Sequence, residues 1–320
     1  MDVGQRLAEL ARIGADRLPL PGHGATLARW QALAGIAAES LPLVKLFEGH
    51  TDALAICQEL GHVHIPADSL WGTWCAEPPD ARLALRPIPG ADASAFVVQG
   101  TKGWCSGADE VTHAVVSCWD ADGHPRLAIV EVDHPGVRFD TSHWQAVGMA
   151  ASNSYHLHFD QVPAVPLGGP NDYVNRPGFW HGGAGIAACW YGGATGLADA
   201  VHLAAGQRAD PHRLAHLGAI DVALAGAGAV LRETAAWIDA HPTADAQQRA
   251  VRARLVVESA VEQVLHHASR ALGAGPLCQD PLLASAFADL PIYLRQSHAQ
   301  RDLASLGTQC ASTAHTPWPL

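Results

Sequence analysis

The sequence predicts an α+β fold, with N-terminal helices, a central antiparallel β-barrel or sandwich, and a C-terminal four-helix bundle. Apolar residues recur every three to four positions early in the chain, short alternating runs bounded by turns fill the middle, and long apolar stripes return later. These changes of pattern divide the chain into N-terminal helices at 1–68, a β domain at 69–168, a bundle at 178–307 and a tail at 308–320.

The composition limits the classes of function. The chain has 320 residues and a formal net charge of −11, which disfavours nucleic acid as a partner. Its 19 histidines are scattered without the spacing of metal ligands, so no metal site is predicted. Seven widely spread cysteines and an N-terminus without a signal-peptide pattern favour a cytoplasmic protein with free thiols.

The first 62 residues predict a layer of helices. Leu7 and Leu10 begin an apolar face at helical spacing, which continues as far as Leu60. Pro19 and Gly22 mark a break between the first two helices, because proline and glycine interrupt helical hydrogen bonding.

The middle of the chain predicts short strands, and the run FVVQGTKGWCSG at 96–107 is the most informative of them. It predicts a strand over Phe96 to Gln99, a tight turn over 100–103, and then Trp104 beside the hydroxyl of Ser106. A flat apolar face with a few donors at its edge suits a planar cofactor. The alternative is a tryptophan in the core of a β-sheet.

The last third predicts four helices. A Gly- and Ala-rich helix starts near residue 178, and its small residues let another helix approach closely. Residues 183–206 are too often interrupted by glycine and polar residues for a membrane span, so no membrane partner is expected. A final helix over 281–306 places Arg295, His298 and Asp302 on one face. Asp302 could orient His298 for acid–base chemistry, and an exposed ion-paired face is the alternative.

Two further motifs lie at joins between these helices. Arg208 could pair with a phosphate bidentately, and a solvated cation at a helix end is the alternative. Gly273 and Gly275 follow a helix, where glycine first of all caps the helix and can also let a ligand approach the backbone. The Gly183-x-Gly185 pattern follows no strand, which argues against a Rossmann dinucleotide site.

The order of domains and motifs over residues 25–307 resembles the acyl-CoA dehydrogenase family. Trp74-Cys75-Ala76-Glu77-Pro78 looks like the family's flavin-contacting strand. The run at 100–107 looks like its second flavin strand, where the tryptophan backs the ring and a hydroxyl faces the flavin N5. Arg208 falls where the family binds the FAD pyrophosphate. The glycine turn at 273–275 falls where a neighbouring subunit contacts the same FAD.

This resemblance implies FAD as the cofactor, a homodimer or homotetramer, and an acyl thioester, bound to CoA or to a carrier protein, as substrate. The cofactor-binding residues that it implies are Trp74, Cys75, Ala76, Trp104, Cys105, Ser106, Arg208, Gly273 and Gly275. The two tryptophan-bearing strands would form a seat for the flavin ring, covered by the helical bundle.

The chain also departs from the family pattern. The family's catalytic glutamate aligns with Gln296, Ser297 or His298, and its alternative position aligns near Ile186, so the usual acid is missing. The N-terminal helical domain is about half the usual length.

The first hypothesis is therefore an FAD-dependent oxidoreductase whose base is His298 or is absent. The second is a flavin-dependent monooxygenase or oxidase, and the third is a non-catalytic FAD-binding or assembly protein.

Overall fold

The computed structural model describes residues 2–62, 64–92, 94–208, 210–313 and 318. The chain forms two compact units. Unit 1 comprises Met1–Leu18 and Pro42–Phe179, and unit 2 comprises Pro19–Leu41 and Trp180–Leu320. The predicted α+β fold class is confirmed, because helices, a β-barrel and a second set of helices follow one another in the predicted order.

The predicted domain boundaries stay predictions. The helices of 1–68 do not all belong to one compact unit, because α2 lies in unit 2. The helices of unit 1 are α1 (Val3–Arg12), α3 (Leu41–Glu59) and α4 (Asp172–Asn175). Those of unit 2 are α2 (Thr26–Glu39), α5 (Gly178–Gln207), α6 (Pro211–Ala240), α7 (Gln247–Leu272), α8 (Ala274–Gln279), α9 (Pro281–Leu294) and α10 (Gln300–Ala311).

Unit 1 is built around a sheet that closes on itself. Its strands are β1 (Trp71–Trp74), β2 (Leu83–Pro87), β3 (Phe96–Cys105), β4 (His113–Trp119), β5 (Pro125–Glu131), β6 (Val137–Asp140) and β7 (Tyr155–Leu167). The hydrogen-bonded neighbours run β4-β2-β3-β7-β5, and β5 pairs back to β4, which makes a barrel. β6 adds to β7, and β1 adds to β4 in the parallel direction.

The barrel has an inner core and a helix on its outer face. Leu83, Val98 and Phe159 are among the residues whose side chains fill the inner core. A second cluster joins Ile56 of α3 to Ile129 of β5. Burial of these apolar side chains is the main force that fixes the barrel, since each contributes roughly 1.5–3 kcal/mol.

The strand β3 is longer than predicted, and the tight turn predicted at 100–103 is wrong. β3 continues through these residues and pairs with β7, with register shifts at Val98/Gly100 and at Lys102/Cys105. Gly100 has φ 128°, and a Cβ there would lie 2.3 Å from the carbonyl oxygen of Arg82. Gly100 therefore permits a bulge where two strands approach closely, rather than a chain reversal.

Unit 2 confirms the prediction of close helix packing on the Gly- and Ala-rich α5. A Cβ at Gly192 would lie 2.2 Å from the carbonyl oxygen of Ala34 in α2, so only glycine allows this contact. Asp239 of α6 accepts hydrogen bonds from the Thr26 hydroxyl at 2.6 Å and from its backbone N–H at 3.0 Å. These bonds satisfy a donor at the start of α2.

The final helix predicted over 281–306 is wrong, because the chain breaks between α9 and α10. α9 ends at Leu294, α10 begins at Gln300, and Ala299 between them has φ 44°. The predicted tail at 308–320 begins inside α10, and its residues 314–317, 319 and 320 lie outside the described residues.

One helix of the described residues, α6, has the length and apolar composition that could cross a membrane. Its most apolar window has a mean hydropathy of 1.7 and is 28% buried. Because core helices meet the same criterion, this finding assigns no location to the chain.

Candidate functional site

Trp104 has the most unusual aromatic side chain of unit 1. Its φ is 62°, which places a bulky residue in the left-handed region, and its side chain is 57% exposed. Such backbone strain costs of the order of 1–3 kcal/mol and persists only where the surroundings hold it. The alternative of a core tryptophan is therefore wrong, because the fold holds this indole at the surface.

The residues before Trp104 are fixed by a buried ion pair. Lys102 is completely buried, and its Nζ donates to Glu77 Oε1 at 2.6 Å, to Ser117 Oγ at 2.6 Å and to the Ser117 carbonyl at 2.9 Å. Glu77 also accepts from the Ser117 hydroxyl and from Trp119 Nε1. All three ammonium protons thus have acceptors, which a buried lysine requires.

Glu77 stays ionised in this network. Burial acts to raise the pKa of its carboxyl, but the hydrogen bonds from Lys102 and Ser117 and the charge of Lys102 outweigh it and lower the pKa. Because Glu77 follows β1, the pair ties the loop after β1 to β3 and β4, beside Trp104.

The residues after Trp104 are fixed by Trp74 and by two serines. Trp74 Nε1 donates to the Ser106 carbonyl at 3.0 Å. The Ser106 hydroxyl lies 2.7 Å from that of Ser154, which lies 2.9 Å from that of Ser152. The backbone N–H of Gly107 donates to the Ser152 carbonyl at 2.7 Å. We call Trp104 and Ser106 the Trp104 corner.

The predicted residues of the first flavin strand have different surroundings. Trp74 is 1% exposed, with its ring in the barrel core, so the prediction that this indole contacts a cofactor needs correction. Burial raises the pKa of the Cys75 thiol to about 11, so Cys75 stays a neutral thiol. Burial also raises the pKa of Cys105, which is fully buried. Of the other predicted cofactor-binding residues in unit 1, Ala76 and Trp104 are exposed and Ser106 is half-buried.

Residues 84–162 match the acyl-CoA dehydrogenase middle domain. A comparison with curated protein sequences found no match.

Solved structures resemble the whole chain. TdsC from Paenibacillus sp. A11-2, in complex with FMN and indole, is 17% identical with a TM-score of 0.79 and covers 100% of this chain and 98% of its own. Methanesulfinate monooxygenase MsuC from Pseudomonas fluorescens is 18% identical with a TM-score of 0.73 and covers 99% and 97%. KijD3 in complex with FMN is 20% identical with a TM-score of 0.72 and covers 90% and 80%.

This chain has the acyl-CoA dehydrogenase fold. The resemblance that the sequence predicted is confirmed, and the low identities mark a divergent example of that fold. Identities of this size establish the fold alone, so the chemistry has to be argued from the residues.

Arg213 binds the backbone at Arg208 and two residues before Gly273. Arg213 Nη1 donates to the Arg208 carbonyl at 2.9 Å, and Arg213 Nε donates to the Ala271 carbonyl at 3.1 Å. Arg208, Gly273 and Gly275 are exposed. Gly273 caps α7 with φ 71°, as the helix-cap interpretation predicts. Their roles toward a cofactor stay predictions.

His298 does not lie on the helix face that we predicted. It occupies the loop between α9 and α10, and its side chain is 65% exposed. Its Nδ1 is 3.7 Å from Asp302 Oδ1, too long for a direct hydrogen bond. Arg295 instead donates to Glu258 and Glu262, at 3.1 Å each, so the three predicted residues form no common face.

Sequence reasoning missed the carboxylate that supports this loop. Glu258 of α7 is 5% exposed and accepts from the buried Ser297 hydroxyl and from Arg295. Arg254 donates to the Gln296 carbonyl at 3.0 Å. Glu258 adjoins Val257 on the apolar stripe of α7, and a charge at the edge of such a stripe was the available signal.

Proposed function

We propose that this chain is a flavin-dependent oxidoreductase and that the Trp104 corner contacts the flavin ring. The observation that supports this most is Trp104 itself, a flat apolar side chain held exposed at a backbone cost. An isoalloxazine ring needs such a face and a few donors at its edge. Trp104 offers the face, and Ser106 offers a hydroxyl two residues further on.

The residues of unit 1 divide this task between contact and support. Trp104 and Ser106 would contact the ring, while Trp74 and the Lys102–Glu77 pair would hold the backbone on either side. The pairing of Arg208 with a flavin phosphate stays a prediction from the sequence. We propose FMN as the flavin, because FMN is the flavin named for TdsC and KijD3. FAD, which the sequence resemblance implied, is the second candidate.

We infer that the reaction is an oxygenation of the monooxygenase type. A bound reduced flavin supplies the activation of oxygen in such reactions. The protein must then bind the substrate and exclude water, and it needs no carboxylate to remove an α-proton. This agrees with the residues of the loop at 295–299, Arg-Gln-Ser-His-Ala, which contain no acid. The dibenzothiophene monooxygenase TdsC and the methanesulfinate monooxygenase MsuC share the fold.

Oxidation of an acyl thioester, on CoA or a carrier protein, is the second candidate. His298 is the candidate base for this reaction, because an imidazole can accept a proton, but its Nδ1 is 3.7 Å from Asp302 Oδ1, too far for a direct hydrogen bond to orient it. In this case anaerobic addition of acyl-CoA should bleach the bound flavin.

The test begins with the purified chain titrated separately with FMN and FAD while the visible absorption is recorded. A shifted, saturable flavin spectrum is expected, with tighter binding of FMN. The complex is then supplied with NADH, a flavin reductase and air, and substrate-dependent oxygen uptake is measured. Failure to bind either flavin would contradict the proposal. Bleaching by acyl-CoA without oxygen uptake would favour the thioester reaction.

We also propose a homodimer or homotetramer, as the resemblance implied. The support is a groove of about 410 Å³ between α6, α7 and α10, lined by Leu255, Leu303 and Leu306. Val222 of α6, which precedes the groove residue Ala223 in the sequence, has a side chain that is 73% exposed. Light scattering after gel filtration should give about two or four times the mass of one chain, 33.6 kDa. The mass of a monomer would contradict the proposed oligomer. The cytoplasmic location stays a prediction.

A further inference from the structure

Three serine hydroxyls form a line of hydrogen bonds, the serine chain, which runs inward from the Trp104 corner. Ser152 is 1% exposed and Ser154 is 8% exposed, whereas Ser106 is half-buried at the outer end. The Oγ atoms are 2.9 Å apart between Ser152 and Ser154, and 2.7 Å apart between Ser154 and Ser106. Both distances are normal for O–H···O hydrogen bonds.

The surrounding backbone holds both ends of this chain. The Trp74 indole fixes the Ser106 carbonyl, and the N–H of Gly107 binds the Ser152 carbonyl. Between the two inner serines, Asn153 has φ 42°, and its amide donates to both carboxylate oxygens of Asp109, at 2.9 and 3.2 Å. The hydroxyls therefore lie between backbone segments that are fixed independently of them.

The hydroxyl protons can be arranged in three ways: all outward, all inward, or with Ser152 and Ser106 both donating to Ser154. Three hydroxyls carry three protons, and the two hydrogen bonds use two of them. Among the described residues, the Ser152 hydroxyl has no hydrogen-bond partner besides Ser154. If the protons pointed inward, the Ser152 proton would be buried without an acceptor among the described residues, which costs about 1–3 kcal/mol. If Ser152 and Ser106 both donated to Ser154, the proton of the buried Ser154 would lack an acceptor in the same way. The outward order, from Ser152 to Ser154 to Ser106, has no such cost.

In the outward order, the proton left over belongs to Ser106. The Ser106 hydroxyl accepts a hydrogen bond from Ser154, so its own proton needs an acceptor outside the serine chain. No acceptor for that proton is present in the part of the chain that the structure describes, and Ser106 lies two residues from the exposed Trp104. The serine chain thus makes the Ser106 hydroxyl a hydrogen-bond donor toward a ligand bound at the Trp104 corner.

We propose that Ser154 and Ser152 are positioning residues, which orient the Ser106 hydroxyl as a hydrogen-bond donor to an acceptor atom at the edge of the flavin ring. The inference rests on the proposed function. A donated hydrogen bond stabilises the more electron-rich state of a ring. The chain should therefore strengthen flavin binding and raise the flavin reduction potential, acting entirely through Ser106.

A double-mutant cycle tests this dependence. Ser106→Ala, Ser154→Ala and the double variant are titrated with FMN, and the reduction potential of each complex is measured. Ser106→Ala should weaken FMN binding by about tenfold, as expected for one lost hydrogen bond, and lower the potential. Ser154→Ala should weaken binding about threefold, and it should have no further effect when Ser106 is already alanine. Ser94→Ala, which removes an exposed serine bond to Asp92, is the control and should change nothing.

The outcomes separate this inference from the proposed function. If the wild-type chain binds no flavin, both fail. If it binds flavin but Ser154→Ala has the same effect with and without the Ser106 hydroxyl, or none in either, only the serine chain is contradicted. If Ser154→Ala does not fold, Ser152→Ala in the same cycle gives the same test one hydroxyl further from the ring.

Discussion

Trp74 and Trp104 look equivalent in the sequence, and the structure gives them opposite roles. Each stands at or near the end of a strand, and each was predicted to be a flavin-binding residue. Trp74 is 1% exposed in the barrel core, while Trp104 is 57% exposed at a left-handed φ. The Trp74 indole supports the backbone two residues beyond Trp104. One tryptophan thus supplies stability, and the other is available for a ligand.

The cause of this difference is a register shift. β1 pairs with β4 without interruption from Trp71 to Trp74, so the alternation of side chains holds and Trp74 points inward. β3 loses register with β7 between Lys102 and Cys105, and Trp104 falls inside that gap. A shift of one residue moves a side chain to the other face of a sheet.

The largest expected effect is a difference in stability between alanine variants of the two tryptophans. Trp74→Ala should lower the free energy of unfolding by about 3–5 kcal/mol, because it leaves a cavity in the core. Trp104→Ala should change it by less than about 0.5 kcal/mol, since the side chain is exposed. Urea denaturation of both variants measures this. Equal losses would mean that Trp104 is also structural.

The next effect concerns the ion pair before Trp104. Glu77→Gln should cost about 3 kcal/mol, because it leaves Lys102 charged and fully buried without its counterion. Lys102→Met should cost less, since Glu77 is 33% exposed and keeps contact with water. The same denaturation experiment compares them. A greater loss for Lys102→Met would contradict this assignment of the buried charge.

The same pair should make stability depend on acid pH. The pKa of Glu77 is lowered in the folded chain, so its contribution is complete above the unfolded pKa of about 4.3 and disappears as the pH falls through the folded value. The difference in unfolding free energy between wild type and Glu77→Gln should therefore narrow below about pH 4. A difference in unfolding free energy that stays constant down to pH 2 would show that the pKa of Glu77 is not lowered by folding.

The smallest effect tests the backbone strain at Trp104. Trp104→Asn should keep or raise the free energy of unfolding, by up to about 1 kcal/mol, because asparagine tolerates positive φ. Trp104→Val should lower it, because a β-branched residue is disfavoured there. Thermal unfolding of the two variants shows whether each substitution raises or lowers the stability. The same sign for both variants would argue against a left-handed residue.

The sequence alone was sufficient for features set by local patterns. Helical periodicity and strand alternation predicted the fold class and the order of the elements. The run around Trp104 offered two interpretations, a flat face for a planar cofactor and a core tryptophan, and only the structure decided between them. Features that join distant positions were not predictable in this way. The Lys102–Glu77 pair, the chain from Ser106 to Ser154 and the contact of Glu258 with Ser297 each link residues at least 25 positions apart.

The break after α9 illustrates the same limit. Tyr293 to Asp302 carries no strong helix breaker, so periodicity extended one helix through it. In the structure, Arg295 and Ser297 bond to Glu258, and the chain turns at Ala299. Tertiary hydrogen bonds therefore overrode local preference. The predicted flavin seat covered by the bundle stays a prediction.

Titration with FMN of the wild-type chain and of Trp104→Asn tests the central claim most directly. Quenching of flavin fluorescence reports binding, and urea denaturation of the same samples reports stability. We predict saturable binding by the wild type and at least about tenfold weaker binding by Trp104→Asn, with unchanged or higher stability, because only the contact face is lost. Equal FMN affinity of the two proteins, or no binding by the wild type, would contradict the assignment of the Trp104 corner as a flavin site.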